Sequence, residues 1–207
     1  MSFDPFAPAS VDRVAVEVYT SAYRVSGTTR TRFQRVGDIV NQLPTSHLII
    51  DEATITEYAA PDAPSTAGEV LVAADQILFL VAPGSSSEPR AEMRIPKRAV
   101  RVELLAPPFR VSGAVHIPQG SRPMDGLLNA ADRFIAITDV SIACAQFPAF
   151  AASHEVVAMQ RSLSQVLIVS DDERAEKLLA DVIDETTAQG WLHRDPSRET
   201  GRDPGAF

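Results

Sequence analysis

Apolar and polar residues alternate along much of this 207-residue chain. Val14, Val16 and Val18 stand at every second position, and so do Val100, Val102 and Leu104. A period of two sends successive side chains to opposite faces of a strand, so each stretch predicts a strand with one buried face. The pattern then recurs as a whole. Val14-Ala-Val-Glu-Val-Tyr-Thr-Ser-Ala-Tyr-Arg-Val-Ser-Gly27 returns as Val100-Arg-Val-Glu-Leu-Leu-Ala-Pro-Pro-Phe-Arg-Val-Ser-Gly113, fourteen residues without a gap at an offset of 86, with seven identities. One residue of slippage later, Arg35-Val-Gly-Asp38 matches Arg122-Pro-Met-Asp125, and residues 48–55 match 135–142. Residues 69–77 then align with 155–163 at an offset of 86 again, which implies that the slip is undone. The chain is therefore read as two tandem copies, 14–81 and 100–169.

Each copy follows one grammar: strand, strand, helix, strand, strand. The second strand, 23–27 or 109–113, closes on a glycine read as a turn, because glycine tolerates positive φ. A short arm follows, 28–34 or 114–121. The helix is expected over 36–43 and 123–131, with Pro123 suited to the first helical position and Asp38 or Asp125 near the positive end of the dipole. A long strand covers 47–58 or 134–147, a loop covers 59–68 or 148–153, and the last strand covers 69–81 or 155–169. Residues 82–99 link the copies and could add an edge strand. Ser170-Asp-Asp-Glu173 is a capping box, followed by Ala175, Leu178, Leu179, Val182 and Ile183 on one face, which predicts an amphipathic helix over 170–190. Residues 1–13 and 191–207 read as disordered arms. This grammar predicts an α+β protein, two β-rich repeats packed as a pseudo-dimer about an approximate two-fold axis, with a C-terminal helix.

Charge narrows the functional classes. With 19 basic and 27 acidic residues the net charge is −8, which disfavours nucleic-acid binding. No run of 18 apolar residues exists, and the start lacks a signal-peptide pattern, so no membrane insertion is expected. Cys144 is the single cysteine, which points to a reducing cytoplasm. The charge is segregated: Arg90, Arg94, Lys97, Arg98 and Arg101 face only Glu92 within 90–101, and Arg30, Arg32 and Arg35 form a second basic cluster. Residues 171–207 hold ten acids and five bases. The basic strand is a candidate site for an anionic ligand, or a surface on which the acidic C-terminal helix docks.

No catalytic set emerges. His47, His116, His154 and His193 are scattered, and none recurs in the other copy. His154-Glu155 opens like a zincin helix, but Val157 and Ala158 stand where a second histidine would be. Ser26 and Ser112 lack a nucleophile-elbow context, Cys144 sits between alanines on a strand, and no phosphate-binding glycine motif is present. The polar residues present twice are Arg24 and Arg110, Arg35 and Arg122, and Asp38 and Asp125. They are expected to form arginine–carboxylate bridges that tie strand to helix in each copy, ahead of a twice-built anion site. An assembled enzyme site would draw on Asp51, Glu52 or Asp139.

Arg90-x-x-x-Arg94 with Asp139-Val-Ser141 is similar to the cyclic-dinucleotide-binding PilZ pattern, but Cys144 replaces its glycine and Asp139 is already part of the repeat. The repeated series Tyr/Phe-Arg-Val-Ser-Gly, Arg-x-x-Asp and Ile-x-Ile-Thr-Asp-Val-Ser-Ile resembles a small bacterial domain family of unknown function, covering about two thirds of the chain in two copies. That resemblance implies no activity, cofactor or catalytic residue. The expectation is a cytoplasmic, non-catalytic interaction or assembly module, partnered with itself as a homo-oligomer or with another protein through the C-terminal helix. The alternative is a sensor for a small anionic metabolite or nucleotide.

Overall fold

The computed structural model describes residues 11–84, 96–128 and 131–170. The strands are β1 (Asp12–Tyr19), β2 (Tyr23–Thr31), β3 (His47–Glu57), β4 (Ser65–Ala73), β5 (Phe79–Val81), β6 (Lys97–Ala106), β7 (Phe109–Pro118), β8 (Phe134–Cys144), β9 (Ala152–Gln160) and β10 (Val166–Ser170). Two short helices, α1 (Val36–Asn41) and α2 (Pro123–Leu128), follow β2 and β7. All ten strands form a single antiparallel sheet in the order β10-β6-β7-β8-β9-β5-β1-β2-β3-β4. The expected α+β class is thereby corrected: six-residue helices decorate a sheet that carries the fold. Among the described residues there is no C-terminal helix of the kind expected over 170–190. Its capping serine, Ser170, ends β10, and residues 171–207 lie outside the described residues, as do 1–10.

Each half contributes five strands, not four. The last expected strand is broken by a 3-10 turn, Ala74–Gln76 in the first half and Arg161–Leu163 in the second. The turn lets the chain leave one edge of its half and return to the other. β4 pairs with β3 while β5 crosses to β1, and likewise β9 pairs with β8 while β10 crosses to β6. The arms expected over 28–34 and 114–121 begin as strand, with β2 running on to Thr31 and β7 to Pro118, and residues 97–99 belong to β6.

Register also corrects the alignment. β1 and β6, and β2 and β7, correspond at an offset of 86. From the helices onward the offset is 87 and stays there. Leu48 faces Val72 as Ile135 faces Met159, and the backbone bond from Leu78 to Tyr19 is matched by that from Gln165 to Leu105. The one-residue slip lies just before the helix, where residues 32–35 of the first half answer to residues 118–122 of the second. A β-bulge recurs at the same place in both halves, between Ser26 and Thr28 in β2 and between Ser112 and Ala114 in β7. Its other side holds Glu52 and Asp139 at φ 53° and 52°. Gly27 and Gly113 are therefore mid-strand residues and not turns. A Cβ on Gly27 would lie 2.6 Å from the Asp51 carbonyl oxygen, and one on Gly113 would lie 2.8 Å from that of Thr138.

The two cores lie on opposite faces of the sheet. Cross-strand pairing puts Val18, Leu80 and Ala158 on one face, and Tyr19, Phe79 and Met159 on the other. The first face, with Val16, Leu48, Ile50 and α1, is the core of the first half. The second, with Val102, Leu104, Ile137 and Phe109, is the core of the second half. At the β5–β9 junction both faces are covered. Tyr19, Phe79 and Val81 pass from the outside of the first half into the core of the second. The halves thus meet through non-equivalent strands, β5 of one and β9 of the other, so the expected two-fold pseudo-dimer is replaced by a head-to-tail relation.

Candidate functional site

The densest polar cluster forms at the bulge of the first half. The bulge turns Asp51 under β1 and β2, where its carboxylate is buried and accepts from Arg30 Nε at 2.9 Å, with Arg13 Nη2 at 3.6 Å. Arg13 also reaches the exposed Glu52 carboxylate at 3.5 Å. The second half places His116 and Thr138 at the corresponding positions, 3.1 Å apart and uncharged in the carboxylate's place. Beside this cluster an open groove of about 280 Å³ runs between the end of β2 and α1, lined by Arg30, Arg32, Phe33, Gln42 and Leu48. Arg32 stacks its guanidinium 5.0 Å from the Phe33 ring. The charged side chains here, Arg13, Arg30, Arg32, Asp51 and Glu52, each have a partner that neutralises or shields them. Nothing in the cluster positions a general acid beside a base, and Asp139 stands exposed at the corresponding bulge of the other half.

The remaining candidates are dispersed. Arg90 and Arg94 lie outside the described residues. Lys97 and Arg101 are exposed along β6, while Arg98 donates to the Ser121 carbonyl at 3.2 Å. Arg110 pairs with Glu103 across the β6–β7 hairpin at 3.0 Å and does not reach the helix. Arg24, its counterpart, lies over the Phe150 ring at 5.5 Å, with its Nε buried and unbonded. The arginines of β2 and β7 therefore brace strands and interdomain aromatics, where a strand-to-helix bridge was expected. Arg122 and Asp125 are exposed at the start of α2, and Asp38 occupies the first turn of α1. Arg35 precedes α1 as its N-cap residue. Cys144 is buried in the second core, and among the described residues no three His, Cys, Asp or Glu side chains gather as a metal site would require.

The junction between the halves carries a second set of side chains that the sequence reading missed. Tyr19 stacks on Phe79 at 4.4 Å, and both meet Phe109 edge-on, at 5.7 and 5.1 Å. Tyr58 meets Phe109 and Phe150, and its hydroxyl donates toward the carbonyls of Thr20 and Tyr23. Burial is the main reason that both phenols are pushed far above the usual tyrosine range. Two amides then lock the register. Asn41 on α1 donates to the Phe134 carbonyl and accepts from its N–H, at 2.9 and 2.8 Å. Buried Gln160, oriented to satisfy its neighbours, donates to the carbonyls of Ala74 and Ile77 at 2.8 and 2.7 Å. Their counterparts at the offset of 87 are Leu128 and Ala73, so each lock occurs once. That single occurrence is the signal available in the sequence: polar residues present in one copy at positions apolar in the other.

The sheet ends in two edges. Among the described residues β4 pairs only with β3, and β10 only with β6. Exposed aliphatic side chains concentrate there: Leu71 and its cross-strand neighbour Ile49, and Val166 with Ile168. No helix among the described residues is long and apolar enough to cross a membrane. No protein-family model, curated protein or solved structure matches the chain.

Proposed function

We propose that this chain is a non-catalytic interaction and assembly module of the cytoplasm that self-associates. The observation that carries this reading is the pair of edges, β4 and β10, that no other strand among the described residues covers. β10 is Val166-Leu-Ile-Val-Ser170, with no charge and no proline, and β4 carries Glu69 as its single charge. Proteins that do not use their edges blunt them with lysine, proline or bulges, because unpaired N–H and C=O groups template further strands. Here the edges are aliphatic instead. The charged cluster around Asp51 is occupied by its own ion pairs, which suits a scaffold better than a reaction centre. Sedimentation velocity of the purified chain over a concentration series tests the reading: a mass that rises with concentration supports it, and a monomer throughout refutes it.

The groove beside Arg30 and Arg32 favours a second reading, a sensor for a small anionic metabolite or nucleotide. Arg32 lies over the Phe33 ring at an open surface whose lining also includes Arg30, an arrangement suited to a planar group whose phosphate or carboxylate meets Arg32. A thermal-shift panel of nucleotides and carboxylates checks this. A rise in Tm that Arg32→Glu abolishes supports it, and a flat panel removes it.

A further inference from the structure

We infer that copies of this chain join head to tail by pairing β4 of one molecule with β10 of the next, in the register that β9 and β5 already use within the chain. The inference rests on the self-association proposed above and specifies its contact. β9 corresponds to β4 and β5 to β10, so the internal junction is one instance of the contact that the two free edges would make. Internally, Phe79 faces Met159 and Leu80 faces Ala158. Moving each residue by the offset of 87 places Val166 opposite Val72 and Leu167 opposite Leu71, an all-aliphatic match.

Burial makes the same point independently. Leu71 is 61% exposed, Val166 46% and Ile168 45%, whereas their internal counterparts Ala158, Phe79 and Val81 are buried at 0%, 0% and 3%. The residues left in solvent at the edges are thus those that the internal junction covers. In the joined pair Val166 and Ile168 would extend over the first core of the neighbour, as Phe79 and Val81 extend over the second core here. Leu71 and Ile49 would be covered in turn by the neighbour's second half. The partner is a second copy because the complementary edge of the chain itself has this register and shape by construction.

The relation is heterologous. Corresponding strands of the two halves run in opposite directions along the sheet, and the two cores lie on opposite faces. Each half is therefore related to the next by a half-turn about an axis running along the sheet plus a translation, and two such steps lead from one molecule to the next. Repeating the step leads to an open assembly rather than a closed dimer. The contact is also weaker than its internal model, because Ala73 and Leu128 stand where Gln160 and Asn41 lock the halves. Association is therefore reversible and follows concentration.

The test is sedimentation velocity of the full chain, with Leu71→Lys blocking one edge and Ile168→Lys the other. Both positions are exposed, and unchanged far-UV circular dichroism and Tm certify each variant; Ile49→Lys and Val166→Lys replace any that misfolds. The wild type is expected to grow beyond the dimer as concentration rises. Either variant alone raises the apparent Kd at least about 100-fold, since a lysine would have to be desolvated in the contact. Mixed together, the two variants retain one good edge each and form a dimer of twice 22.3 kDa that grows no further. Ala73→Gln, which restores one lock, lowers the apparent Kd about tenfold. A wild type that stays monomeric overturns both this contact and the self-association reading. Association untouched by the edge variants, a single variant that dimerises alone, or no tightening with Ala73→Gln overturns the contact and leaves self-association standing.

Discussion

Gly27 and Gly113 show how one atom can hold a fold in place. Both look like turn residues in the sequence, because the strand pattern weakens around them. In the structure each sits inside a strand and faces a bulge, where the neighbouring backbone comes too close for a Cβ. Gly27→Ala is expected to cost about 1–3 kcal/mol, the range for overpacking a rigid site. Gly37→Ala, in α1 with nothing within 4 Å of the added Cβ, is expected to stabilise by about 0.5–1 kcal/mol through helix propensity. Chemical denaturation of the two variants should move in opposite directions, and like-signed shifts would refute the assignment. The phenols of Tyr19 and Tyr58 make a second test. Both are held neutral in the folded chain, and unfolding returns them to an ordinary value near 10. Folding stability is thus unaffected by them below about pH 10 and declines as pH rises above it. Alkaline spectrophotometric titration should show their phenolate absorbance only with unfolding; ionisation while circular dichroism remains native would contradict their burial.

Among the elements, the 3-10 corners decide the topology. Ala74-Asp-Gln76 and Arg161-Ser-Leu163 contain neither glycine nor proline, so nothing local announces a break, and the alternation on either side reads as one long strand. Only when β5 and β10 find β1 and β6 does the corner become necessary. Helix α1 shows the converse. Its start was legible from the apolar spacing of Val36, Ile39 and Val40, but its use was not, because Asn41 grips Phe134 from 93 residues away. Replacing it by the residue of the other copy, Asn41→Leu, leaves a buried N–H and C=O of Phe134 unpaired. The expected loss is about 2–3 kcal/mol. Urea denaturation of the variant checks this, and a stability equal to that of the wild type would rule out the clamp.

For the molecule as a whole, the exchange of residues at the junction makes the two halves one folding unit. The second core takes Tyr19, Tyr58, Phe79 and Val81 from the first half, and the first core takes Phe134 and Ala158 from the second. Calorimetry should therefore give a single transition with equal calorimetric and van't Hoff enthalpies; two separate transitions would show the halves to be independent. The duplication, the strand-rich character and the faces of β1, β3, β6 and β8 could all be read from residue order, because a period of two and a repeated string are local properties. So could the segregation of charge, though the basic strand β6 presents only Lys97 and Arg101 openly and the paired arginines brace strands instead of helices. The order of strands in the sheet, the opposite faces of the two cores and the two free edges were decided by tertiary structure alone. The reason is physical: two copies with nearly the same pattern can pair by equivalent or by non-equivalent strands, and local sequence does not distinguish them. What selects the head-to-tail arrangement is a few long-range contacts, the Tyr19–Phe79–Phe109 stack and the amides of Asn41 and Gln160, whose partners come together only when the sheet has formed.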